Sequence, residues 1–269
     1  YVYDAQHRLT NIRNTAGATV VGLDYDLQGN LSNKNGQVYT FDYGNRLRSI
    51  PGKEIYLYDG LGRRVQSAKA DGSSTMLWQY SHSGQMLFSW ENLPVEKTHE
   101  FVYLAGSLVA SIDHHWPSNA VIATKYQHTD ALGSPVAITN EAGSVIERND
   151  YEPYGAIIGK PNYSGIGYTG HVMDGATGLT YMQQRYYDQS VGRFLSVDPV
   201  AVRPIPDNFN RYFYAFNNPY RFVDPDGRDG METITETMLW SEPGYAQKQS
   251  DASNGFGQAA IWIPINILI

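Results

Sequence analysis

Two Asp-Pro pairs, Asp198-Pro199 and Asp224-Pro225, carry the side chains best suited to chemistry in this 269-residue chain. They lie within residues 178–227, GLTYMQQRYYDQSVGRFLSVDPVAVRPIPDNFNRYFYAFNNPYRFVDPDG, a block dense in Tyr, Phe, Arg and Asn. Two carboxylates can serve as general acid and base when a fold brings them together. These lie 26 residues apart, so only tertiary folding can juxtapose them. Taken locally, the same residues make turns, because Asp, Pro and Gly each suit a β-turn position. Asp198 and Asp224 then cap turns and Arg185 pairs with one of them for packing, which accounts for all three without catalysis.

Other reactive residues carry less. His114-His115, followed by Trp116-Pro117, has no third ligand at a metal-site spacing and reads as a polar loop. GLGRR (60–64) lacks the Lys-Ser/Thr of a phosphate loop and a strand-to-helix setting, so it reads as a hairpin turn. The absence of cysteine excludes a disulfide framework and a Cys-bearing zinc site. A net charge of -7 and a pI near 5.4 carry no nucleic-acid footprint. No cofactor or metal is expected. No apolar run of about 18 residues is present, so no membrane-spanning helix is expected. No basic segment followed by an apolar run opens the chain, so no signal peptide is seen, and the initial Tyr suggests part of something longer.

The elements that must position these residues come from a degenerate repeat. Tyr3-Asp4, Tyr25-Asp26, Phe41-Asp42 and Tyr58-Asp59 begin successive units, and Tyr80 begins another, at spacings of 22, 16, 17 and 22 residues. YDLQGNL (25–31), FDYGNRL (41–47) and YDGLGRRV (58–65) show the unit, whereas YDAQHRL (3–9) lacks the Gly and YSHSGQML (80–87) lacks the Asp. The Asp can accept backbone N–H bonds in an Asx-type turn, and Gly or Asn supplies the left-handed position. The aromatic and the later Leu or Val pair across strands. One hairpin cannot bury such a face, so the copies must share a sheet. DALGSP and NEAGS (within 125–155) continue the pattern, and nothing before Gly155 has a helical period. The fold class is all-β: YD-repeat hairpins in a continuous antiparallel strip, followed by a terminal core block.

Residues 1–228 resemble an Rhs protein, a YD-repeat shell ending in an Rhs-repeat-associated core, and are similar to Tc-toxin C components. The resemblance rests on the YD units and, more specifically, on YQHTDALGSPVAITNEAGSVI, DYEPYG, GYTGHVMDGATGLTYMQQRYYDQSVGRFLSVDP and NNPYRFVDPDG, which stand in the family's order. It implies a strip that winds as a spiral into a cocoon around a C-terminal toxin, with the core sealing one end. The organisation expected is a strip over 1–155, the core over 156–228 and a variable segment over 229–269. With few repeats present, an open strip or the last part of a longer shell is expected.

The resemblance also implies that the core cuts its own chain just after the final DPxG motif. Carried over by position, Asp198 and Asp224 are the catalytic carboxylates of an aspartic-protease-like pair. Two such groups close together share a proton, so one acts as base toward water and the other as acid toward the amide. Arg185 matches the family arginine that orients a carboxylate or stabilises the oxyanion. The bond expected to break is Arg228–Asp229. Arg228 stands where the family usually has Leu, a departure that bears on position and efficiency.

Composition shifts at Arg228. Met231 to Trp240 suits one short helix, and the apolar end AAIWIPINILI is expected to be covered. The 41 residues of 229–269 are too few for an enzyme domain with its own core. Two functional readings from different classes follow. In the first, a shell segment encapsulates a polymorphic toxin and frees it by cleavage in cis only, in interbacterial competition or host intoxication. Its partners are its own C-terminal cargo, the rest of a longer Rhs chain, secretion-system components and an immunity protein, and its location is secreted or at the bacterial surface. In the second, a surface YD-repeat module binds carbohydrate or protein without catalysis. An inert shell is a third.

Overall fold

The repeat period recurs as hairpins in the computed structural model, which describes residues 1–92, 95–199, 210–228 and 231–232. A five-stranded antiparallel sheet orders β1 (Val2–Tyr3), β2 (Leu9–Arg13), β3 (Thr19–Tyr25), β4 (Leu31–Lys34) and β5 (Gln37–Val38). After Tyr39 an eleven-stranded meander follows: β6 (Thr40–Phe41), β7 (Leu47–Ile50), β8 (Glu54–Tyr58), β9 (Arg64–Lys69), β10 (Thr75–Tyr80), β11 (Met86–Glu91), β12 (Lys97–Leu104), β13 (Ser107–His115), β14 (Ala120–Thr129), β15 (Pro135–Thr139) and β16 (Val145–Arg148). The core block adds a second five-stranded sheet: β17 (Gly165–Ile166), β18 (Val172–Asp174), β19 (Leu179–Met182), β20 (Arg185–Asp188) and β21 (Arg193–Phe194). A short strand, β22 (Phe222–Val223), leads into the DPDG segment. The protein is all-β, and no α-helix occurs among the described residues.

The Asp of each unit closes its loop by the mechanism its chemistry allows. At Asp59 the carboxylate accepts N–H bonds from Leu61 at 2.9 Å and Arg63 at 2.8 Å, while Gly62 turns at φ 80°. Asp4, Asp42 and Asp130 repeat the two bonds, and Asn14 and Asn140 reproduce them with an amide oxygen. The aromatic of the next unit then ties the units together. Tyr25 Oη donates to the Leu9 carbonyl at 2.9 Å, Tyr58 to Leu47 at 2.5 Å and Tyr80 to Arg64 at 2.9 Å. Arg8, Arg46 and Arg63, each salt-bridged to its own loop Asp, lie over the rings of Tyr25, Tyr58 and Tyr80. One unit carries Phe41 and Asn30 in these places, so both the hydroxyl and the guanidinium are missing together. There the Leu31 amide donates to Leu195 of the core block at 2.7 Å instead.

Core packing joins strip and block. Leu9, Leu23, Leu31, Leu47, Ile50 and Tyr56 share one buried cluster with Leu179, Tyr181, Tyr186 and Leu195. Arg64 takes the place after the loop that Leu9, Leu31 and Leu47 hold elsewhere, yet it is fully buried. It forms a short salt bridge to Asp174, donates to Tyr186 Oη at 2.7 Å, and lies 4.1 Å from the Trp78 ring centroid. A charge in that register is tolerated because the core block supplies its carboxylate and, with Tyr56 and Trp78 of the strip, Tyr181 and Tyr186 around it.

Two expectations change. His114 and His115 are not in a loop: they close β13, opposite Thr98 and Lys97 on β12 and Val121 and Ala120 on β14. Pairing on both sides extends the strand past the point where local polarity suggests a turn. Met231–Glu232 is extended, so the helix expected from Met231 does not begin there. The rest of that stretch, Asp229 and the AAIWIPINILI end lie outside the described residues.

Candidate active site

Arg185 opens β20, directly after a two-residue turn, and its side chain is buried beneath the DPDG segment. Its Nη2 lies 3.0 Å from Asp198 Oδ2 and 3.1 Å from Asp224 Oδ2, so one nitrogen bridges the two carboxylates. Tertiary folding therefore brings together the three residues singled out in the sequence. Nη1 donates to the Arg211 carbonyl at 3.2 Å, and Nε donates to the Gly227 carbonyl in a short bond. The guanidinium carbon also sits 3.6 Å from the Phe194 ring centroid. All three nitrogens of the planar fork are engaged, a pattern that a Lys ammonium cannot reproduce. Burial draws the Arg185 pKa below its ordinary value, against the attraction of Asp224 and Asp198.

The two acids differ in setting. The Asp224 side chain is 2 % exposed and that of Asp198 22 %, which places Asp198 on the wetter side. Asp224 Oδ1 accepts the Arg228 amide at 3.0 Å. The Gly227–Arg228 peptide is thus held at both ends, its carbonyl by Arg185 and its N–H by Asp224. Gly227 adopts φ 75°, and a Cβ there would overlap the Met182 carbonyl oxygen, so this position requires Gly. Arg228, the residue before the expected cut, follows directly, while its partner Asp229 lies outside the described residues.

Sequence reasoning passed over two contributors. His171, within GYTGHVMD, is buried, and its Nε2 lies 2.9 Å from the Asp224 carbonyl oxygen. Burial pulls its pKa down to about 4, which makes the ring neutral and Nε2–H the donor at neutral pH. The turn Gln183–Gln184 also touches the DPDG segment: the Gln184 amide donates to the Asp226 carbonyl at 3.1 Å. The density of polar residues in these two motifs was the available signal. No group of three His, Cys, Asp or Glu suited to a metal ion occurs among the described residues.

A hairpin strip whose repeat Tyr and Asp tie one unit to the next, capped by this block, is the architecture of a YD shell. The Teneurin YD-shell family matches residues 2–220, and the chain belongs to it as an Rhs/YD-shell protein. Double-stranded DNA deaminase toxin A of Burkholderia cenocepacia is 29% identical over 247 residues, covering 77% of this chain and 17% of that protein. The tRNA nuclease WapA of Bacillus subtilis is 29% identical over 237 residues, covering 76% of this chain and 9% of that one. Mouse Teneurin-4 is 28% identical over 279 residues, covering 93% and 9%. The crystal structure of TcdB2-TccC3-TEV superposes with a TM-score of 0.54 at 25% identity, over 77% of this chain and 10% of that one. The chain therefore spans less than a fifth of the length of these relatives.

Proposed function

We propose that this chain is the terminal part of a YD shell that encloses a C-terminal toxin and releases it by cutting its own backbone after DPDG. The observation that carries the reading is the single Arg185 nitrogen between Asp198 and Asp224, with the same guanidinium on the Gly227 carbonyl. Two carboxylates and one guanidinium make a cluster of net charge -1 in which Asp224 and Arg185 are buried. The mechanism takes one proton on the pair, which leaves one carboxylate as base and one carboxyl as acid. The base takes a proton from water as the water oxygen bonds to the scissile carbonyl carbon. Arg185 orients the two carboxylates for these transfers, and the acid protonates the amide nitrogen as the C–N bond breaks. The products are a new carboxylate on the shell and a new amine on the released segment.

The cut is placed at Arg228–Asp229, one link beyond the peptide that Arg185 and Asp224 hold. Relatives named as a deaminase toxin and a tRNA nuclease support a toxin as cargo, delivered outside the producing cell in competition or host intoxication. The remainder of a longer chain, secretion components and an immunity protein are the partners of that reading. A sugar-stacking role of the repeat tyrosines draws less support, because Arg8, Arg46 and Arg63 already lie over the rings of Tyr25, Tyr58 and Tyr80.

The test compares the wild-type chain with Asp198→Asn and Asp224→Asn on a denaturing gel, with N-terminal sequencing of the small fragment. The wild type is expected to split and yield a fragment beginning at Asp229, and both variants to stay whole. A folded wild-type chain that stays whole rejects the reading in favour of a binding module or an inert shell.

A further inference from the structure

The link between β19 and β20 breaks the usual rule for its length. Met182 pairs with Arg185, leaving Gln183–Gln184 as a two-residue hairpin turn, and Gln183 sits at φ 53°. Turns of this length favour Asn-Gly or Gly-containing pairs, since the left-handed region disfavours long side chains. Both residues use their side chains. Gln183 Nε2 reaches the Pro225 carbonyl at 3.4 Å, and Gln184 Nε2 donates to the Leu61 carbonyl at 3.3 Å. The Gln184 amide holds the Asp226 carbonyl.

On the strip side the two glutamines abut two glycines at the left-handed position of successive loops. A Cβ at Gly84 would lie 2.7 Å from Gln183 Oε1, and one at Gly62 would lie 3.3 Å from Gln184 Oε1. The turn therefore touches the loops of the Tyr58 and Tyr80 units on one side and three consecutive residues, Pro225 to Gly227, on the other. Gly227 packs against the carbonyl of Met182 in the same turn.

We propose that Gln183–Gln184 is a positioning clamp that couples the folded YD loops to the DPDG segment, holding the scissile region against Asp224 only once the strip is formed. The proposal rests on the self-cleavage reading for its purpose, although the clamp is testable without it. An unfinished strip lacks the Leu61 and Gly84 surfaces, so the turn loses its support and the DPDG segment its register. Cleavage thereby follows assembly of the shell segment rather than preceding it.

The test replaces the turn by a pair its geometry favours, Gln183→Gly with Gln184→Ser, since Gln183 takes the positive φ and Gln184 does not. This change relieves the left-handed position and removes both glutamine amides, so a merely structural turn predicts an unchanged or higher melting temperature and unchanged cleavage. The clamp predicts an unchanged or higher melting temperature with cleavage slowed on the order of 10- to 100-fold, the cost of ångström-scale misplacement. Gln184→Leu, which leaves the turn backbone alone, is the second variant and is expected to slow cleavage in the same direction. Amide hydrogen exchange over 223–228, measured in the uncleaved Asp198→Asn background, is expected to quicken when the turn is replaced. Unchanged exchange there overturns the clamp, and so does a wild-type cleavage rate in the doubly substituted chain. A wild-type chain that never cleaves rejects self-cleavage alone, and the exchange measurement still decides the clamp.

Discussion

At the residue scale the site is governed by one guanidinium with four acceptors: two carboxylates and the carbonyls of Arg211 and Gly227. Arg185→Lys keeps the charge but not the planar fork, and its three N–H groups leave at least one of the four acceptors unserved. Its expected effect is a loss of cleavage on the order of 100-fold, comparable to ångström-scale misplacement of the reacting groups, read from the time course of fragment appearance. Gly227→Ala acts through the backbone. It places a side chain at φ 75° against the Met182 carbonyl, so the DPDG segment must leave its seat. Loss of cleavage together with a stability loss of about 1–3 kcal/mol in urea is expected. Wild-type cleavage by Gly227→Ala would show that the seat is not needed.

At the element scale, the hairpin unit was legible because its chemistry is local. An Asp two and four residues before the amides it accepts, and Gly or Asn at the left-handed corner, are read directly from YDxxGxx. Arg185, Asp198 and Asp224 were legible only through motif order, since nothing local says that turn-forming residues 26 apart will meet. His114 and His115 were misread because strand pairing on both sides overrides a polar local sequence. Arg64 was hidden for a related reason: its partner Asp174 lies on β18, far along the chain. Removing one member of that buried pair strands the other. Arg64→Leu restores the residue type of the other units, yet it is expected to cost about 3–5 kcal/mol by leaving Asp174 unpaired. Arg64→Leu with Asp174→Leu is expected to recover most of that loss in a double-mutant cycle by urea denaturation. A single Leu variant as stable as wild type would show that Asp174 finds another partner.

Acid sensitivity belongs to the whole molecule, and several groups set its form. His171, pulled down to about 4 by burial, contributes stability that is present above its ordinary 6.5 and is lost as pH falls toward 4. Asp113 is opposed by burial but held down to about 2 by hydrogen bonds from His99 and Lys125, so its contribution persists until pH falls through that lower range. His99, raised to about 9 against burial by Asp113 and Glu91, contributes fully below pH 6.5 and loses that contribution as pH rises through 9. The fall that His171 contributes lies between pH 6.5 and 4, while the carboxyls of Glu54 and Asp174, pushed up by burial, act in the opposite sense. His171→Gln, which retains a donor for the Asp224 carbonyl, is expected to flatten the pH profile in that window and leave the alkaline fall intact. An unchanged acid slope would assign the fall elsewhere.

Packing carries a further consequence for how the molecule folds. The sequence divides into a repeat strip and a core block, but Leu9, Leu23, Leu31 and Leu47 of the strip bury themselves against Leu179, Tyr181, Tyr186 and Leu195 of the block. The block also holds a buried cluster of its own around Tyr187, Phe194 and Tyr214, but the strip's leucines have no cover without it, and the buried Arg64 would face an apolar interior without Asp174. Strip and block are thus expected to unfold in one transition, with Trp fluorescence from the strip and near-ultraviolet Tyr circular dichroism giving the same urea midpoint. Residues 1–155 expressed alone are expected to show no cooperative transition, since removing the block exposes the apolar face that it covers. Two separated transitions, or a cooperative 1–155 fragment, would make the block an independent domain. The single transition is the one that suits self-cleavage: Asp198, Asp224 and Arg185 all belong to the block, so a block that folded alone could cut before any strip existed to hold the cargo.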